Sequence, residues 1–267
     1  MAYLAWGEER AERTVVCVHG LTGNARDFDA LAQALVARGH FVVCPDVVGR
    51  GASDPLADPE GYGLRQYVAD MRCLLEQLDA DRVDWVGTSM GGLIGMTVAG
   101  ASESPVRRLV INDIGPFVPS AALQRLDAHL GTDPSFEDLA AAELWLRQVR
   151  APFGRLSDEQ WRQMTERSVR RDGRRYRLHY DPAVAGPFRR TADRDVDVWE
   201  TWDLIACPVL VLRGQHSDLL LAETAAEMAT RGPKAEVVEV TGCGHAPALL
   251  DADQIEPILV WLGAAAP

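Results

Sequence analysis

With 267 residues, 47% of them apolar and 25% charged, the chain can bury a real core and needs no metal or disulfide staple. Its formal net charge of −12 argues against general binding to nucleic acid or anionic membranes, because no excess positive charge is available to neutralise phosphates. Five cysteines (Cys17, Cys44, Cys73, Cys207 and Cys243), with no CxxC pair and no zinc-like spacing, fit buried reduced thiols in a cytoplasmic protein without a bound metal. The opening MAYLAWGEERAER lacks the pattern of a signal peptide, and no run approaches the ~18 apolar residues of a membrane span.

In chain order, Thr14–Val18 (TVVCV) reads as a buried strand that ends in His19-Gly20. Asp27–Ala37 has apolar residues at helical spacing and stops at Arg38-Gly39. Phe41–Cys44 is a strand stopped by Pro45, and Leu64–Leu78 is an amphipathic helix. Arg82–Val86 is a strand, Met90–Ala101 a small-residue helix, and Val106–Ile111 a further strand. After a long interval come a strand at Val209–Leu212, a helix at Ala222–Thr230, a strand at Ala235–Val240 and a closing helix at Gln254–Leu262.

This alternation predicts an α/β fold: a mostly parallel central sheet with helices on both faces. The alternation breaks between about Gly115 and Trp202, where only helical patterns such as Phe136–Val149 and Asp158–Arg170 appear. The expected organisation is therefore a core of residues 1–114 and 201–267, with 115–200 as an inserted helical cap over the C-terminal edge of the sheet. The stretch from about Gly115 to Trp202 holds Trp145, Trp161, Trp199 and Trp202. Its 161–190 stretch carries nine arginines, which read either as a solvated face paired with nearby acids or as a steering surface for an anionic substrate.

The strongest chemical signal is Gly87-Thr88-Ser89-Met90-Gly91. A G-x-S-x-G turn between a buried strand and a helix strains the backbone at the serine and presents its hydroxyl at a helix N-terminus. Such a serine needs a base, and the base needs an orienting acid. Among six histidines, His245, in a glycine-flanked loop after the last strand, is the best placed. Two acids compete. Asp218 lies in the loop after Val209–Leu212 and is the first choice, with an expected hydrogen bond to His245 of about 2.6–3.2 Å. Asp113, two residues past Ile111, is the alternative, with a turn-capping role as its plainer reading. Cys243 reads as a small residue filling a tight loop.

The chain order Ser, Asp, His and the elbow motif resemble the α/β-hydrolase superfamily from about Thr14 to Leu262, the insertion apart. His19-Gly20-Leu21-Thr22-Gly23 looks like that family's oxyanion loop. The resemblance implies that the backbone N–H groups of Leu21 and Met90 hold the oxyanion. Asp46 to Ser53 is similar to the family's D-x-x-G-x-G-x-S segment, with a turn-forming role implied.

The expected activity is cofactor-independent, carboxylesterase-like hydrolysis of a small ester or lactone through an acyl-enzyme. Alternatives are hydrolysis of a C–C bond beside a ketone, acyl transfer to another acceptor, and a ligand receptor with an unused triad. The expected partner is a small-molecule substrate.

Overall fold

The structure, a computed structural model, describes residues 1–264. The last three residues of the expected 201–267 core segment lie outside the described part. Before the insertion the chain forms β1 (Tyr3–Trp6), β2 (Arg13–Val18), α1 (Asp29–Val36), β3 (His40–Pro45), α2 (Leu64–Gln77), β4 (Val83–Thr88), α3 (Met90–Ala99) and β5 (Val106–Asn112). The insertion follows as β6 (Phe117–Val118), α4 (Ser120–Asp127), β7 (Ser135–Phe136), α5 (Leu139–Val149), α6 (Asp158–Ser168), β8 (Val169–Asp172), β9 (Arg175–Leu178), α7 (Ala185–Arg189) and β10 (Val196–Asp197). The chain then closes with α8 (Trp199–Asp203), β11 (Val209–Gly214), α9 (Ala222–Met228), β12 (Glu236–Val240) and α10 (Ala252–Gly263).

Seven strands make one sheet in the order β1-β3-β2-β4-β5-β11-β12. Only the β1–β3 pair is antiparallel. Strand β1 is absent from the sequence reading because four residues with half-exposed alternation give little apolar signal. The inner strands read as continuous apolar runs because both faces are covered. Phe28, Leu31 and Leu35 around α1 share one core layer with Ile255, Ile258 and Leu262 of α10. Met71 and Leu74 of α2, Ile94 of α3 and Met228 of α9 build the layer on the other face. Each such side chain, fully buried, contributes roughly 1.5–3 kcal/mol of hydrophobic stabilisation.

The insertion departs from the purely helical expectation in two ways. Strands β7, β9 and β8 form a small antiparallel sheet of their own, in that order. Short strands of charged and aromatic residues, such as Arg175–Leu178, carry no apolar run for a sequence reading to detect. In addition, β6 and β10 pair antiparallel, Val118 against Val196, so the two ends of the insertion are tied together where it leaves and rejoins the core. None of these five strands joins the seven-stranded sheet. Leu146, Leu178 and Tyr180 nevertheless belong to the same buried cluster as Val16 and Trp85, so the insertion shares the core's apolar layer. No described helix is long and apolar enough to cross a membrane.

Candidate active site

The turn at Ser89 follows from local sterics. Ser89 has φ 52° and ψ −116°, a conformation that an L-residue adopts only when its surroundings force it. The glycines on either side explain how the turn fits. A Cβ on Gly87 would overlap the Gly91 carbonyl, and a Cβ on Gly91 would overlap the carbonyl oxygen of Val18. Strand β4 can therefore meet α3 this closely only without a side chain at Gly87, and β2 only without one at Gly91. The Ser89 carbonyl accepts from Gly92 N at 2.8 Å and Leu93 N at 3.1 Å, which fixes the first turn of α3.

Three side chains form a continuous hydrogen-bonded row. His245 Nδ1 lies 2.8 Å from Asp113 Oδ2, and His245 Nε2 lies 3.0 Å from Ser89 Oγ. An ionised carboxylate can only accept, so Nδ1 carries the ring proton and donates it to Asp113. That leaves Nε2 as the acceptor for the Ser89 hydroxyl. Asp113 is fully buried, and Ser89 and His245 are almost so.

The bond expected between Asp218 and His245 is not made. Asp218 is exposed and forms a two-pronged ion pair with Arg125, Oδ2 to Nε at 2.5 Å and Oδ1 to Nη2 at 2.8 Å. Asp113, the alternative acid, faces the histidine instead. The reason lies in strand register. Thr88 pairs with Asn112 across the adjacent parallel strands β4 and β5. Ser89 and Asp113 are the next residues on each, so they leave the sheet side by side. Asp113 also turns at positive φ, 58°, as Ser89 does. Asp218 lies four residues beyond the end of β11, and the loop has by then run out to the surface.

The loop after β11 holds the acid instead of supplying it. Gly214 N donates to Asp113 Oδ1 at 2.7 Å, and the Ser217 hydroxyl donates to Oδ2 at 2.6 Å. Ser217 Oγ in turn accepts from Leu219 N and Leu220 N at 3.3 and 3.1 Å. Sequence reasoning missed Ser217; its only signal was its place next to Asp218 in the post-strand loop. It also missed Asn112, whose Nδ2 donates to Thr88 Oγ1 at 3.1 Å and to the Pro247 carbonyl at 2.9 Å. Asn112 thereby ties the histidine loop to the ends of β4 and β5. Cys243 is buried in this loop, and burial pushes its thiol up to about 11, so it stays protonated at neutral pH.

The segment His19 to Gly23 lies against the serine. A Cβ on Gly20 would sit 3.6 Å from Ser89 Cβ, and Leu21 lines the same cavity as Ser89. His19 is fully buried, with Nδ1–H donating to the Gly20 carbonyl at 2.7 Å and Nε2 accepting from Val47 N at 3.0 Å. That carbonyl belongs to the same trans peptide unit as the Leu21 N–H, so holding one end turns the other to the opposite side. Arg50, buried between Tyr62 and Tyr67, donates from Nε to the Leu21 carbonyl at 3.0 Å. Among the described residues, neither the Leu21 nor the Met90 amide has a hydrogen-bond acceptor. Asp46 accepts from Ala52 N at 2.8 Å, which closes the turn after β3, and from Ala25 N at 2.7 Å, which ties that turn to the segment before α1.

Ser89 and His245 open into a cavity of about 180 Å³ between the sheet and the insertion. Trp145, Val149, Phe153, Met164, Leu178 and Tyr180 supply an apolar wall from the insertion side. Most of the 161–190 arginines are engaged elsewhere. Arg162 pairs with Glu159, Arg177 with Asp133 and Asp172, Arg189 with Asp127 and Arg190 with Glu60. For these residues the solvated, acid-paired reading describes the structure.

Residues 13–252 match the family model for the alpha/beta hydrolase fold, so the chain belongs to that family. It is a hydrolase, as its relatives are. It is 46% identical over 264 residues to a 3-hydroxybutyrate-oligomer hydrolase of Cupriavidus necator, covering 96% of this chain and 90% of that protein. It is 29% identical over 233 residues to a 2-(acetamidomethylene)succinate hydrolase of Mesorhizobium japonicum, covering 85% and 79%. Among solved structures, an alpha/beta hydrolase from Novosphingobium aromaticivorans superimposes with a TM-score of 0.89 at 36% identity, over 97% of this chain and 92% of that one.

Proposed function

We propose that the chain hydrolyses short esters of hydroxy acids through an acyl-enzyme on Ser89, with His245 as general base and Asp113 as the orienting acid. The observation that carries this reading is the row Ser89 Oγ, His245 Nε2, His245 Nδ1, Asp113 Oδ2, which ends at a largely apolar cavity. Ser89 Oγ attacks the ester carbonyl as its proton passes to His245 Nε2. Asp113 stabilises the imidazolium that forms. The Leu21 and Met90 amides, free of other acceptors, hold the oxyanion, and the N-terminal end of α3 favours the same charge. Nε2–H then protonates the departing alkoxide, and water repeats the sequence on the acyl-enzyme to release the acid. Residues 115–200 act as the cap that walls the substrate off from water.

The choice of hydroxy-acid esters follows the relative at 46% identity, named for 3-hydroxybutyrate oligomers. It agrees with a cavity sized for a small chain. The test is twofold. Incubation with 3-hydroxybutyrate dimer and trimer should release monomer, and a fluorophosphonate should label Ser89 stoichiometrically. In Ser89→Ala, turnover should fall by roughly a thousandfold or more while the circular dichroism stays that of wild type. Labelling at a different residue, or an active Ala variant, overturns the reading.

A further inference from the structure

In a protein of net charge −12, the cavity beside Ser89 reverses sign: Arg26, Arg125, Arg150 and Arg167 line it against a single carboxylate, Asp27. Three of the four arginines already contact a carboxylate, two of them sharing one. Arg26 and Arg167 both reach Asp29 Oδ2 at 3.1 Å, and Arg125 is held by Asp218. Arg150 has no carboxylate within 4.0 Å among the described residues. Its guanidinium donates from Nη1 to the Ser168 hydroxyl at 2.9 Å and stacks 5.6 Å from the Phe153 ring centre. Burial lowers its pKa from the usual arginine value, with the more distant Asp27 and Tyr180 opposing that shift. Asp27 accepts from Asn24 N at 3.3 Å.

The residue's position explains only part of this. Arg150 caps the C-terminal end of α5, where a cation is favoured by the helix dipole. A surface arginine would satisfy that preference equally well. A half-buried guanidinium without an ionic partner leaves four of its five N–H donors without a protein acceptor. Occupation of the cavity by an anion would supply one, in a planar geometry suited to a carboxylate.

We infer that Arg150 receives the free carboxylate of the substrate, so that the enzyme prefers ester chains ending in an acid to neutral esters of the same length. The inference rests on the ester-hydrolase reading of Ser89 and adds the charge of the substrate to it. In an oligomer of a hydroxy acid the terminal carboxylate belongs to the alcohol portion. Arg150 would then stabilise the leaving-group side and set how far from the acid end the chain is cut.

The experiment compares 3-hydroxybutyrate dimer, as the free acid, with its methyl ester, for wild type, Arg150→Met and Arg150→Lys. Wild type should prefer the acid by about tenfold or more in kcat/KM, expressed mainly in KM, as expected for loss of one charge-assisted pair. Arg150→Met should collapse that preference towards unity, and Arg150→Lys should restore part of it. In parallel, 3-hydroxybutyrate should compete with p-nitrophenyl butyrate for the wild-type enzyme far better than 3-hydroxybutyramide does, a measurement that needs no variant. Equal handling of acid and methyl ester by wild type, equal inhibition by acid and amide, or an undiminished preference in Arg150→Met each overturns the inference. If p-nitrophenyl butyrate is turned over and Ser89 is labelled, those results leave the serine-hydrolase reading standing. If neither occurs, that reading fails and takes the inference with it.

Discussion

Replacing Asp113 by asparagine separates the two candidate acids with the smallest change of shape. The carboxylate accepts three hydrogen bonds: Gly214 N on Oδ1, and Ser217 Oγ and His245 Nδ1 on Oδ2. An amide has one oxygen and one NH2, so one of these two faces must lose its acceptor. Gly214 N–H can only donate and is buried, so an NH2 turned towards it would leave two donors opposed, at a cost of about 1–3 kcal/mol. The amide oxygen therefore stays on Gly214, and the NH2 faces His245. Facing a donor, the imidazole moves its proton to Nε2, which can then no longer accept from Ser89. Loss of the working tautomer should lower kcat about 10⁴-fold, or roughly 5.4 kcal/mol in the barrier. Asp218→Asn removes only an ion pair with Arg125 whose side chains are 36% and 47% exposed, worth about 0–1 kcal/mol, and turnover should stay within about threefold of wild type. The assay is kcat for p-nitrophenyl butyrate together with the rate of fluorophosphonate labelling at Ser89. A loss of several orders of magnitude in Asp218→Asn, with Asp113→Asn within tenfold of wild type, would refute the reasoning.

Gly91→Ala should abolish activity and destabilise the fold, by several kcal/mol if β2 and α3 cannot separate, because the new methyl overlaps the Val18 carbonyl. Denaturant unfolding checks this, and a fully active, stable variant would show that the elbow is not as tight as described. Burial holds the rings of His19, His40 and His179 below the ordinary value of 6.5. Each is protonated in the unfolded chain before the folded one, so this contribution to stability is complete above about pH 6.5 and is lost as pH falls below it. The loss is at most about 1.4 kcal/mol per pH unit for each histidine. Urea unfolding at pH 7.5 and 5.5 measures it, and an unchanged midpoint would contradict the burial argument for His19.

Much of this protein is legible in its sequence because the information is local. Gly87 to Gly91 specifies a strand-to-helix turn through sterics that involve few distant residues, and the buried runs TVVCV and VLVL announce strands covered on both faces. The position of the histidine loop follows from the last strand before it. The acid was a different kind of question. Asp113 and Asp218 both stand after strands, and nothing local distinguishes them. The choice depends on the β4–β5 register, which sets Thr88 beside Asn112 and so Ser89 beside Asp113, and on the curl of the post-β11 loop that turns Ser217 inward and Asp218 outward. The arginines follow the same rule. A count of charges along 161–190 points to the cap, whereas the cavity-lining guanidinium without a carboxylate partner, Arg150, lies outside that stretch. Pairing is a property of which side chains meet in space, and only the tertiary packing decides which cavity-lining arginines meet a carboxylate and that Arg150 does not.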